Sequence, residues 1–549
     1  MILFKNGNIQ SMDSTLPQAE AMVINENKFA YVGTQDGAYE YLKEHGDAKK
    51  EVDLEGCLVI PGLNDSHMHF IHLAKSLRSI DLVGTTSINE IRARIKSAME
   101  NRKKEDRNWL EGEGWNQDYF EDEKRFPNKF DLDEITGDVP TIIMRACFHI
   151  GVLNTAAMKE IGLNKETAKE YGDLVELLPN GEPNGVIKES LLERIKVKIS
   201  SLNLENTKEI IVAAQERLLS AGLTSVQTDD VGYMPSRDYD LLFQAFEELE
   251  KVGQLKVRIG EQCLFENPPS LEEFFKKGYA AGWGTNRYRI TSIKLLSDGS
   301  LGARTAALRN PYADDTSTRG LEIFTQEDLD NMVMISHENN CPVAIHAIGD
   351  RAIEMSLDAI EKAQKKNPKN HIRHGIVHCQ ITDGEILERF KELNVLAFIQ
   401  PIFIDYDMNI VIDRVGHDLA QTSYAWKTMM DKGIHIPFGT DCPVESFNPM
   451  ANIYTAVTRK NINGNQKKVY LPNEKLSMYE AIYAYTVEGA YASNEENIKG
   501  TITKDKLADF IILDKDLFNL SCEEDILDTK VVKTYVDGKL VYDAKFAVK

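Results

Sequence analysis

Three patterns of apolar and polar positions divide the 549-residue chain. The first segment alternates over short runs separated by turns: ILFKNGNIQSM, AMVINENKFAYVG and EVDLEGCLVI. Period-two alternation of that length predicts β-strands with one buried face. The last segment repeats the pattern in ADFIILD and VVKTYVDGKLVYDA, where Asp537-Gly538 marks a tight hairpin. Between them, short apolar strand candidates alternate with helical patterns such as TKEIIVAAQERLLSAG. That alternation predicts a parallel α/β body, long enough for a (β/α)8 TIM barrel. The two ends are then expected to pair into one composite β-sandwich, residues 1–58 with 500–549, beside a barrel over 59–499.

Barrel strands can be counted from LVIPGLNDSHMH onward as GLTSVQTDD, LKVRIGEQCL, RITSIKLLSDG, CPVAIHAIGD, RHGIVHCQ, NVLAFIQP and, eighth, IHIPFGTDCP. One further apolar run, VPTIIMRACFH at 139–149, is assigned to an insertion of about residues 75–195. The insertion also carries GEGWNQDYF and the turn-rich LPNGEPNG.

Several of these apolar strands end in one polar side chain. They are His67 and His69 on the first, Lys294 on the fourth, His346 on the fifth, His378 on the sixth and Asp441 on the eighth. Residues i and i+2 of a strand share a face, so His67 and His69 stand side by side. Singly, His346 reads as a satisfied core histidine and Asp441 as a loop cap. Six such residues at one end of one barrel, the end where barrel active sites lie, read as a constellation. His374, four residues before His378, falls at the other end of its strand and reads as structural.

The residue types suit one chemistry. Imidazole nitrogens and carboxylate oxygens are good ligands for zinc and similar divalent metals. A buried lysine has a depressed pKa, can exist as a free amine, and can then add carbon dioxide to give a metal-bridging carbamate. Metal-bound water becomes hydroxide near neutral pH, and Asp441 is placed to take a proton and deliver it to a leaving amine.

Charge and composition narrow the partners. The chain has 64 basic against 86 acidic residues, a formal charge of -22, which disfavours nucleic acid and anionic membrane surfaces. A small-molecule substrate is expected. Seven scattered cysteines with no CxxC pair argue against a disulfide framework or a zinc ribbon. The opening MILFKNGNIQ lacks the apolar core of a signal peptide and no run approaches the ~18 residues of a membrane span, so a cytoplasmic location is expected.

The chain resembles the amidohydrolase superfamily, and within it the amidohydrolase 3 family that includes N-substituted formamide deformylase-like proteins. The resemblance runs from PGLNDSHMH through GWNQ, NGEPNGVIKE, IKLLSDGSLGARTAAL, VAIHAIGDRA, RHGIVHCQIT and FGTDCPVESFNP to GTITKDKLADFIILD. It implies a barrel with a composite β-sandwich and hydrolysis of a non-peptide C–N bond by metal-activated hydroxide. It also implies two divalent metals, zinc with iron or manganese as alternatives. His67, His69 and Asp441 would hold one, His346 and His378 the other, with N6-carboxylated Lys294 bridging and Asp441 as the catalytic proton carrier. By analogy a homodimer is expected.

Trp115, His149, Asp298 and Arg304 are candidate substrate contacts. Trp115 reads equally as a core aromatic, and Arg304 equally as a loop stabiliser. Cys147 and Phe148 replace the first two residues of a common Asp-Gly-His ending before His149, and Val377 stands where many relatives carry Glu. Two other readings stay open: a mononuclear deaminase of the same superfamily with Lys294 only structural, and a non-catalytic barrel scaffold.

Overall fold

A computed structural model of the chain describes residues 1–102, 109–146, 149–199, 202–369, 372–462 and 467–545; Cys147 and Phe148 lie outside them. The chain divides into two compact units, Met1–Phe70 with Ile211–Tyr233 and Leu242–Lys549, and Ile71–Ile210 with Met234–Leu241. The second is wider than the insertion expected at 75–195.

The first unit holds the barrel. Its parallel strands follow chain order: Leu63–Met68, Leu223–Thr228, Arg258–Leu264, Tyr288–Leu296, Val343–Ala347, Gly375–His378 and Leu396–Phe398. Each is almost wholly buried, as parallel strands with both faces covered must be. The eighth run, IHIPFGTDCP, closes the circle without forming a regular strand. It accepts from Ala397 and Ile399 on one side, and on the other Ser66 N–H donates to Phe438 and Asp441 N–H to His67. Pro437 has no N–H to give, and that of Phe438 turns away to the Ala484 carbonyl, so one parallel bridge, Ile399 to Phe438, replaces a ladder. At Gly439 the segment passes so near the first strand that a Cβ would stand 2.6 Å from the His67 nitrogen.

The run LVIPGLNDSHMH is two strands rather than one. Leu58–Pro61 pairs with Phe510–Leu513 of the sandwich, whereas Leu63–Met68 pairs with the second barrel strand. Gly62 is the change of partner, bonding Asp509 while Leu63 bonds Gly222. The sandwich has one sheet of four amino-terminal strands and one sheet drawn from both ends of the chain. Phe4, Phe29, Phe510 and Tyr535 fill the space between, with the Phe510 and Tyr535 rings stacked at 4.5 Å. Asp537 and Gly538 both take positive φ, as the hairpin between Val531–Val536 and Lys539–Asp543 requires.

The second unit is built on a six-stranded sheet that includes Thr141–Arg145. Alternation puts Ile142, Met144 and Ile187 in one apolar core and Ile143, Val152 and Val186 in another. No helix among the described residues is long and apolar enough to cross a membrane.

Candidate metal centre

The carboxyl ends of the barrel strands bring His67, His69, Lys294, His346, His378 and Asp441 together. The His67 and His69 rings lie 5.2 Å apart, as same-face neighbours on an extended chain should. His67 is 5.8 Å from the His378 ring, which is 4.4 Å from that of His346. Lys294 Nζ stands 2.9 Å from His67 Nε2. Both His67 and His69 point Nε2 at Asp441 Oδ1, at 3.3 and 3.1 Å. His378 and Asp441 each sit at positive φ, 80° and 58°, a local strain that turns them off the regular strand path.

Burial governs the charge states. It lowers the His67 pKa to about 3, with the neighbouring Lys294 acting in the same direction, and takes His378 well below its ordinary value. It lowers Lys294 as well, which favours the free amine. Burial pushes the Asp441 carboxyl up, but the His67 and His69 imidazoles more than reverse this and hold it well below the usual range. For His69, burial lowers the pKa and the Asp441 carboxylate raises it, with a net rise.

The donor set fits a divalent cation. Ligand atoms of His67, His378 and Asp441 lie within 4.8 Å of one another. Asp441 Oδ1 has no donor in hydrogen-bond geometry among the described residues, although two imidazole nitrogens face it. A buried carboxylate oxygen that faces two imidazoles with no donor in bonding geometry is costly by itself and becomes favourable around a metal ion.

The comparisons with known proteins agree with that chemistry. The model of the Amidohydrolase family matches residues 50–542. The chain belongs to the amidohydrolase family. Its sequence is 32% identical to the YtcJ protein of Bacillus subtilis (strain 168), named as an amidohydrolase, over 98% of this chain and 99% of that protein. It is 22% identical to the N-substituted formamide deformylase of Arthrobacter pascens over 99% and 98% of the two chains. A solved metal-dependent hydrolase from Pyrococcus horikoshii OT3, itself uncharacterised, superposes with a TM-score of 0.78 at 31% identity, covering 94% of this chain and 98% of that one. The chain is thus a metal-dependent amidohydrolase.

In this amidohydrolase the remaining sequence candidates have other surroundings. Trp115 is fully buried in a core of the second unit, its ring against Phe126. His149, also in that unit, is exposed and pairs with Glu189 at 3.0 Å. Asp298 is buried and accepts from the backbone of Ala307, Ile348 and Gly349, tying together the loops after the fourth and fifth strands. It also stands 3.4 Å from His346 Nε2. Arg304 makes a two-pronged pair with Asp314.

Other residues of the amidohydrolase site carry no ligand pattern in the sequence. Asp65 accepts from Thr440 Oγ1 at 2.5 Å and from the Thr440 and His67 backbones, fastening the first strand to the segment carrying Asp441. Burial pushes its pKa up to about 7. Tyr233 sets its ring 5.2 Å from His69, and Phe403 its ring 5.9 Å from His378. Gln262 and Gln400 bond His67 and His378 from behind. Period two from His67 points to Asp65; nothing local points to the glutamines.

Proposed function

We propose that this amidohydrolase cleaves a non-peptide carbon–nitrogen bond of a small molecule, the amide or formamide of an amine. The observation that carries the reading is the convergence of His67 and His69 on one oxygen of Asp441 in a buried site. His67, His69 and Asp441 would hold one cation and His346 and His378 a second, with zinc favoured over iron or manganese by the nitrogen-rich donor set. Divalent metal bound there supplies Lewis acidity, lowering the pKa of water from about 15.7 towards ~7 and polarising a carbonyl.

The chain's own residues complete the chemistry. Asp441, held ionised, accepts the proton of the attacking water and hands it to the departing nitrogen. That delivery matters most for a C–N bond, since an amine leaves poorly until protonated. Lys294, as a buried amine, takes up carbon dioxide with loss of a proton, and the resulting carbamate offers two oxygens as ligands. A small neutral or cationic substrate also suits the acidic chain. The similar deformylase named for N-substituted formamides supports that bond type.

The test is a screen of protein purified without chelator, offering N-formyl and N-acetyl amines and following free amine with a fluorogenic reagent. Metal-dependent amine release supports the reading. Ammonia release from aminated heterocycles with no acyl-amine cleavage would replace it with the deaminase reading.

A further inference from the structure

Two glutamines reach the imidazoles from the side away from Asp441. Gln262 Oε1 lies 2.7 Å from His67 Nδ1, and Gln400 Oε1 lies 2.8 Å from His378 Nδ1. Both amides are buried. The opposite end of each is fixed independently of the ring. Gln262 Nε2 donates to the Ser66 carbonyl at 3.1 Å, and Gln400 Nε2 donates to the Phe398 carbonyl at 3.2 Å.

These second contacts settle which amide atom faces the ring. A backbone carbonyl only accepts, so the group against it is the NH2 and the group against the imidazole is the oxygen. An amide oxygen only accepts in turn, so each ring carries its proton on Nδ1 and its lone pair on Nε2. His346 shows the opposite arrangement: its Nε2 faces the Gly299 carbonyl at 3.1 Å, which leaves Nδ1 as the bare nitrogen.

We infer that Gln262 and Gln400 are positioning residues that set the tautomers of His67 and His378, so that Nε2 of each is presented unprotonated to a metal ion. The inference rests on the metal-dependent reading of the site. A neutral amide does this without the charge of a carboxylate, so the imidazole is oriented without being drawn towards imidazolium. Losing the acceptor would free the proton to move to Nε2, where it blocks coordination. Outer groups of this kind are worth about 10–100-fold in metal affinity.

The test uses full-length protein stripped of metal, with zinc affinity read by competition against a chromophoric chelator and folding followed by thermal unfolding. Gln262→Leu and Gln400→Leu should each weaken zinc about 10–100-fold. Leu variants binding zinc as tightly as the parent would overturn the inference.

A second readout needs no glutamine variant. Histidine-selective ¹⁵N spectra of the metal-free parent should show the Nδ1–H tautomer for His67 and His378, assigned by signals lost in His67→Asn and His378→Asn. An Nε2–H tautomer at either ring would overturn the inference for that ring. A parent chain that binds no zinc would instead overturn the metal reading beneath it.

Discussion

Lys294 Nζ lies 2.9 Å from Nε2 of His67, inside a barrel that leaves both side chains essentially without solvent. An ammonium has no lone pair to give a metal, and burial here favours the amine. Lys294→Arg keeps a cation of similar length that cannot become a carbamate. If Lys294 carries carbon dioxide, the variant should lose about one metal equivalent per chain by elemental analysis while its circular dichroism is unchanged. A mononuclear deaminase with a structural lysine should instead keep both metal content and activity.

Asp441 combines two tasks, ligation and proton transfer, and substitution can separate them. Asp441→Asn keeps an oxygen near His67 and His69 but cannot accept a proton. Metal should stay bound, while kcat falls by about 10²–10⁴-fold, the usual contribution of a positioned general base. Undiminished turnover in that variant would remove Asp441 from the proton path.

His374 offers a pH signature remote from the chemistry. Its ring is fully buried, accepts from Val343 N–H at Nδ1 and meets His337 Nδ1 at 2.9 Å through Nε2. Burial, aided by His337, lowers its pKa to about 3 from an ordinary 6.5. A histidine held neutral in the fold contributes its full stabilisation above pH 6.5 and loses it as pH falls towards 3, because only the unfolded chain takes up the proton. The urea midpoint of the parent should therefore drop more between pH 7 and pH 5 than that of His374→Gln.

Arg258 fastens barrel to sandwich within the first unit. Its guanidinium, buried on the third barrel strand, bonds Asp509 and Asp537, each at 2.6 Å. Arg258→Leu would leave the buried Asp509 carboxylate without its cation, while Asp537 keeps Arg287, a loss of about 3–5 kcal/mol. A lowered Tm and an earlier denaturant transition are expected, with part of the stability regained in Arg258→Leu/Asp509→Asn.

Seven barrel strands were legible because each is a short apolar run between helical patterns, and the first, fourth, fifth and sixth carry candidate ligands near the carboxyl end. The eighth had the same letters, but Pro437 and the turned-away Phe438 N–H decide hydrogen bonding, and neither effect shows in an apolar pattern. The run from Leu58 to Met68 looked continuous because the partner change at Gly62 depends on chains far away, at Gly222 and Asp509. Among the site residues, histidines and lysine in apolar strands announce themselves, since their burial needs a reason. Gln262 and Gln400 do not, because a buried amide is satisfied by many neighbours and only the folded barrel shows which. The surroundings of Asp298 and Arg304 were not legible either: Asp298 bonds backbone amides beside His346, and Arg304 pairs with Asp314.

The segment that shuts the barrel is also the one that bears Asp441. One regular bridge and a few single hydrogen bonds hold it between its neighbours, so this joint is the least expensive place for the cylinder to part. Asp441 reaches across that joint to His67 and His69 on the opposite stave. Ligation and closure are therefore thermodynamically linked: whatever tightens one tightens the other. Amide exchange at residues 434–442 should slow on metal loading while Phe510–Leu513 is unaffected, and apoprotein should be clipped by protease first at this hasp.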